Sequence, residues 1–134
     1  MKKTAILCTV FFLLGTALSF AVSYDNNEYQ RKSRAYSELA QRAYNEGDYD
    51  ASIEYSRLAE ENAQKSADYI QYMLARIEAE QAMNKARTRY TWAKNNQAEQ
   101  NYPEAFQTAT EALQAGHTAF ESEDFDVAVV CAKQ

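Results

Sequence analysis

The chain has 134 residues, enough for one small domain. Acidic residues outnumber basic ones 19 to 14, a formal charge of −5, which argues against nonspecific nucleic-acid binding, since that depends on neutralising phosphates with Lys and Arg. A single histidine excludes a multi-histidine metal centre within the chain.

The first 23 residues, MKKTAILCTVFFLLGTALSFAVS, read as a secretory signal peptide. Lys2 and Lys3 form the positive start, Thr4 to Leu18 the apolar run, and Ala21 or Ser23 the cleavage point. The run is short for a retained membrane anchor, and Gly15 interrupts it. Cys8 sits at the front of the run rather than after it, against a lipoprotein reading. Lys2 and Lys3 leave with the leader, so 14 basic residues fall to 12 against 19 acidic ones, and the charge moves from −5 to −7. Cys131 is then the one cysteine remaining, so no internal disulfide forms, and its apolar neighbours suit a buried thiol.

Residues 24–134 are rich in Ala, Glu, Gln, Arg and Leu and lack period-two runs of β-branched residues, so the mature chain is all-α. The spacing predicts a first helix from Asn26 to Glu46, with Asp25 and Glu28 at capping-box spacing. Tyr29, Ala35 or Tyr36, Leu39, Ala43 and Tyr44 would form its apolar face. Gly47 stops this helix, Asp48 caps the next, and Asp50 meets its dipole. The acids of GDYD therefore read as a corner. A calcium loop needs its Gly inside the ligand run, and Gly47 precedes both aspartates. From Tyr49 to about Asn101 no Gly or Pro interrupts. This is either one long spine or a helix broken at KNNQAEQN, Lys94 to Asn101. Ala59, Ala63, Ala67, Ala75, Ala79 and Ala82 begin a small-residue stripe along it, which Ala86 and Ala93 extend. Aromatics from Tyr36 and Tyr55 to Trp92 and Phe125 would fill the gaps between helices. Pro103 suits the first turn of a further helix, and ESEDFD, Glu121 to Asp126, starts the last. That helix stops mid-pattern at VAVVCAKQ, which suggests a longer native protein.

EGDYDASIEYSRLAE at Glu46 and SEDFDVAVVCAKQ at Ser122 share one pattern, and EQNYPEAFQTATEA at Glu99 is a looser third copy. Tyr49, Phe125 and Tyr102 take the same place in the three. The first copy resembles a tetratricopeptide repeat, with Tyr36, Leu39, Ala40, Tyr44, Gly47, Tyr49 and Ala59 on signature positions. Ser52 stands where Ala is usual, and Gln64 replaces the closing Pro. The segment from Ala93 to Gln134 is similar to a family of bacterial envelope helical domains, the DUF4398-like group. The resemblances imply helical hairpins of tetratricopeptide-repeat (TPR) type around a long Ala-rich helix. They also imply a protein partner held on the first helix, with Arg34, Ser37, Gln41, Tyr44 and Asn45 as contacts.

No nucleophile elbow, phosphate loop or dinucleotide fingerprint appears. Acid pairs such as Glu60–Glu61 read as solvated charge, and His117 as a helix-surface or packing residue. In RTRYTWAK, Arg87 to Lys94, Tyr90 should point inward and Arg87, Arg89 and Lys94 outward, although the patch could also grip an acidic partner or glycan. The expectation is a non-enzymatic scaffold without cofactors, exported to the periplasm or envelope of a bacterium, with no membrane contact after cleavage. Two alternatives stand beside it. One is a spacer or oligomerisation stalk of a peptidoglycan-associated protein whose wall-binding module, of LysM type for example, lies beyond residue 134. The other is a small-ligand carrier using the Tyr- and Trp-rich core.

Overall fold

The computed structural model describes residues 24–134, so the leader and its cleavage point lie outside the described residues. Those residues are all-α, with no strand among them. A 3-10 turn at Tyr24–Asn26 leads into α1 (Glu28–Glu46), α2 (Tyr49–Asn95), the single turn α3 (Ala98–Asn101), α4 (Pro103–Glu121) and α5 (Phe125–Lys133). α1 and α4–α5 pack on α2 at opposite ends, and α1 does not touch α4 or α5.

α2 is one continuous helix of 47 residues, about 70 Å long at 1.5 Å per residue. Asp48 starts it, its carboxylate accepting from the Ala51 N–H at 3.1 Å. It ends within the polar stretch singled out above, where Asn96 is the C-cap and Gln97 takes a left-handed φ of 63°. Pro103 opens α4 in the first turn, and α4 runs through Gly116 to Glu121.

The cap of α1 differs from expectation. Asn27, not Asp25, accepts from the Gln30 N–H at 2.9 Å. Asn27 also donates to the Ser66 hydroxyl at 2.8 Å and to the Tyr24 carbonyl at 2.9 Å. An amide can cap with its oxygen and cross to α2 with its nitrogen; a carboxylate has no donor for the second bond.

The α1–α2 seam is built from small residues. Ala40, Ala43 and Ala59 are buried, and so are Ser33, Asn62 and Ser66. The Ser33 hydroxyl donates across the seam to the Ala59 carbonyl at 2.8 Å, and the Ser52 hydroxyl to the Ala40 carbonyl at 3.0 Å. Buried hydroxyls need such partners, and small side chains bring the backbones near enough to provide them. Tyrosine pairs flank the seam: Tyr29–Tyr69, Tyr36–Tyr55 and Tyr44–Tyr49, with ring centroids 6.4, 6.4 and 5.6 Å apart. Ala35 and Tyr44 are exposed rather than part of a buried face.

At the other end, Ala79, Ala119, Phe125 and Ala128 form the core, with Ala75, Phe120 and Val129 against it. Tyr72 meets Phe125 edge-on at 5.4 Å, and Tyr90 stacks on Phe106 at 4.9 Å. Gly116 lets α4 approach closely: a Cβ there would lie 2.8 Å from Met83 Sδ and 3.2 Å from Cys131 Cβ. Cys131 is half-buried beside it.

α2 shows α1 and the second hairpin different faces. Ser52, Tyr55, Ala59, Ser66 and Tyr69 meet α1. The same rhythm would continue at Met73 and Arg76. Contact with α4–α5 begins one residue early, at Tyr72 and Ala75. One residue is about 100° of helix, so the buried stripe turns partway along. The expected Ala stripe is therefore not one face: Ala59 and Ala79 are buried, whereas Ala63 and Ala67 are exposed. Trp92 is 69% exposed and fills no gap between helices.

The two copies of the corner coincide in detail. Asp48 N–H bonds the Ala43 carbonyl and Asp124 N–H the Ala119 carbonyl, both at 2.9 Å. Gly47 N–H bonds Tyr44 and Glu123 N–H bonds Phe120, both at 3.1 Å. Gly47 has φ 83° and Glu123 φ 62°, the left-handed residue that ends each helix. Asp124 caps the Val127 N–H as Asp48 caps Ala51. Tyr44–Tyr49 and Phe120–Phe125 are matching edge-on pairs at 5.6 and 5.5 Å. The looser copy at Glu99 does not share this geometry. Tyr102 there is itself the residue before the helix, with φ −140° and no side-chain cap.

Candidate functional site

α1 and α2 leave an open groove of about 450 Å³ along one side of their seam. Ser37, Gln41 and Tyr44 line it from α1; Ser52, Ser56 and Ala59 line it from α2. Three of the five candidate contacts, Ser37, Gln41 and Tyr44, thus fall together. Their spacing of four and three residues places them on one side of the helix. Asn45 lies beside the groove, where its side-chain oxygen accepts from the Gln41 amide at 3.2 Å. Arg34 is exposed one turn before Ser37 and is not among the groove's lining residues.

The groove is polar at its walls and small at its floor. The Ser37 hydroxyl donates to the Ser33 carbonyl at 3.0 Å, and the Ser56 hydroxyl to the Ser52 carbonyl at 2.8 Å. Both keep an oxygen lone pair for a visiting donor. The Gln41 and Asn45 amides remain at the surface with further donors and acceptors. Ala40 and Ala59, both buried, form the floor. The rim is aromatic: Tyr44 is 59% exposed and Tyr49 61%. A polar-walled, aromatic-rimmed trough between two helices suits a helix or extended peptide, with tyrosines as low-entropy contact area. The α2 wall was not expected. The signal for it was the matched pair of corners, since Ser52 and Ser56 stand where the second copy has the small residues Ala128 and Ala132.

Several other charged positions are paired locally. Arg57 pairs with Glu54 and Glu61 on the exposed side of α2, and Glu28 with Lys32 on α1. Each partner in the Glu28–Lys32 pair favours the charged form of the other, holding Glu28 below the usual carboxylate range and Lys32 above the usual amine range. His117 lies 3.4 Å from Glu121 on the surface of α4. In the basic aromatic patch, Tyr90 is half-buried, while Arg87, Arg89 and Lys94 are exposed. Among the described residues, no group of three or more His, Cys, Asp or Glu could hold a metal ion. No helix among them is long and apolar enough to cross a membrane.

No family model matches the chain, and no solved structure does. The sequence is similar to Treponemal membrane protein B of Treponema pallidum (strain Nichols), with 50% identity over 134 residues. The match takes in 99% of this chain and 41% of that protein, so the chain spans well under half the length of its relative.

Proposed function

We propose that this chain is an exported, non-enzymatic helical scaffold of the bacterial cell envelope, which binds a protein partner in the groove of its first hairpin. The observation that carries this reading is the gathering of Ser37, Gln41 and Tyr44 with Ser52 and Ser56 in one open trough. The envelope assignment draws on the leader and on the name of the treponemal relative, a membrane protein. The TPR-like and DUF4398-like resemblances fit the helix–corner–helix unit, which occurs twice. Crosslinking in native cells, with Arg34, Gln41 and Asn45 each changed to alanine, tests the site. The expected result is loss of one crosslinked partner in the Gln41→Ala and Asn45→Ala chains, and a smaller loss for Arg34→Ala, which stands off the groove. An unchanged crosslinking pattern in all three would place the interaction elsewhere.

A second reading is favoured by the partial coverage of the relative, of which this chain spans 41%. The helices would then be the spacer of a peptidoglycan-associated protein whose wall-binding module lies outside the sequence described. Pull-down on purified peptidoglycan separates the two: the 134-residue chain should not sediment with it, whereas a longer native product should. The carrier alternative has less support, because the crevices along the α1–α2, α2–α4 and α2–α5 seams open to solvent, and carriers bury most of their ligand.

A further inference from the structure

The second hairpin indicates what its counterpart is shaped to receive. The groove between α4 and α5 is filled by α2, whose Ala79 packs on Ala119, Phe125 and Ala128, and whose Met83 presses on Gly116. Residue for residue, that surface corresponds to the open groove of the first hairpin: Gly116 to Ala40, Phe120 to Tyr44, Phe125 to Tyr49, Ala128 to Ser52. Burial separates the two copies. Phe125 is 7% exposed beneath α2, and Tyr49, its counterpart, is 61% exposed. Val129 packs into the core, and Ile53, its counterpart, is 69% exposed. The first groove is therefore a helix seat without a helix in it.

α2 itself carries a partly uncovered stripe beside this seat. One residue beyond each α1 contact runs a second row at intervals of three and four. Tyr49, Ile53 and Ser56 begin it beside the groove. Ala63 and Ala67, both exposed, form its middle. Ile70, Leu74 and Ile77 end it beyond the first turn of α1, where the 3-10 turn also touches α2; Leu74 is 56% exposed, and Ile70 and Ile77 are half-buried. The row spans about 42 Å and is self-complementary on reversal about Ala63. Turned end for end, it sets Ile77 on Tyr49 and Ile70 on Ser56 and brings Leu74 within one residue of Ile53, with small Ala63 at the crossing. Glu60, the one charged position in the row, then falls within one residue of Ala67 and away from its own copy. A parallel, unstaggered pairing would instead set Glu60 against Glu60, and like charges facing each other are unfavourable.

We propose that a second copy of this chain docks antiparallel along α2, each copy setting Ile70, Leu74 and Ile77 against Tyr49, Ile53 and Ser56 at the α2 edge of the other's first-hairpin groove. The arrangement is a closed twofold dimer, so every contact occurs twice. It rests on the reading of that groove as an interaction surface and names a copy of the chain as its occupant. Within the second hairpin α2 runs parallel to α5, since Tyr72 meets Phe125 and Ala82 lies by Ala132. A copy docked in that direction would be staggered and leave an empty groove at one end, so copies would add without closing.

Sedimentation velocity of the protein as exported is the test. The expected mass is that of two chains. Ile53→Glu and Leu74→Glu should each give single chains at concentrations where the native protein is paired, with helical circular dichroism unchanged. Glu60→Leu should tighten the pair. With Cys131→Ser in the background, Ala63→Cys should crosslink to its copy through a short bismaleimide, because adjacent helix axes lie about 8–10 Å apart. Single chains throughout, a mass that grows with concentration, or pairs that survive both glutamate substitutions would overturn the proposal. Single chains together with a native crosslinked partner lost in Gln41→Ala would leave the groove reading intact and remove only the homodimer. Loss of neither would remove both.

Discussion

Gly47 and Glu123 do the same backbone task with different residues. Each ends a helix in the left-handed region, at φ 83° and 62°. A Cβ at Gly47 would meet nothing within 4 Å, so substitution there costs backbone strain alone. Gly47→Ala should lose about 1–2 kcal/mol, Gly47→Val more, and Gly47→Asn less, measured by urea unfolding. An unchanged midpoint for Gly47→Val would sink the cap assignment. Glu123 has a second role at its strained position: its carboxylate accepts from the Tyr72 hydroxyl at 2.8 Å and ties the corner to α2. The two effects separate in a double mutant. With Tyr72→Phe in place, Glu123→Gly should stabilise by about 1 kcal/mol, from relieved backbone strain; in the native background the gain should be smaller.

At the scale of elements, the corners were legible in the sequence and the faces were not. Gly47, Asp48 and Pro103 each have a local chemical reason to sit at a helix end, so those bounds could be read without knowing the tertiary fold; the start of α1 could not, because Asn27 caps it while donating across to Ser66 on α2. The α1 half of the groove was implied by the tetratricopeptide-repeat resemblance, which put Ser37, Gln41 and Tyr44 on one side of the first helix. Its α2 half could not be read, because Ser52 and Ser56 join it only through the register of one helix on another. Nor could the change of face along α2, which depends on α1 covering one end and α4–α5 the other. The absence of Gly and Pro permitted a continuous α2 without requiring it. The Tyr72–Glu123 clasp, which joins α2 to the second corner, carries a pH dependence. The Glu123 carboxylate holds the Tyr72 proton and raises its pKa above the ordinary phenol value. A group whose folded pKa is raised contributes while protonated, so the clasp is whole below pH about 10 and is lost as pH rises through the folded value. In an alkaline titration followed by phenolate absorbance, Tyr72→Phe should remove a late-ionising component, and Glu123→Gln should move that component earlier. Neither change should measurably alter stability near neutrality, since the pair is exposed and screened.

The whole molecule is two packing units on one rod. α1 touches neither α4 nor α5, so among the described residues α2 alone joins the two packed ends, and local opening free energies need not be equal. The first unit is held by small residues, tyrosine rings and buried hydroxyl bonds, the second by Phe125 and apolar contacts. Overpacking one seam should therefore loosen one unit. Ala43→Leu forces a larger side chain into a buried seam position, at a cost of about 1–3 kcal/mol. Amide exchange should quicken in α1 and in α2 from Tyr49 to Tyr69, while α4, α5 and the stretch from Tyr72 to Tyr90 keep their protection. Ala128→Leu, at a position with no exposed surface, should do the converse. Hydrogen exchange read by mass spectrometry distinguishes this from a single cooperative block, in which either substitution would quicken exchange at both ends equally. Separable ends would let the first groove open to receive a helix without loosening the core that holds α4 and α5 to α2. That independence is what a scaffold needs if one end engages a partner while the other stays folded.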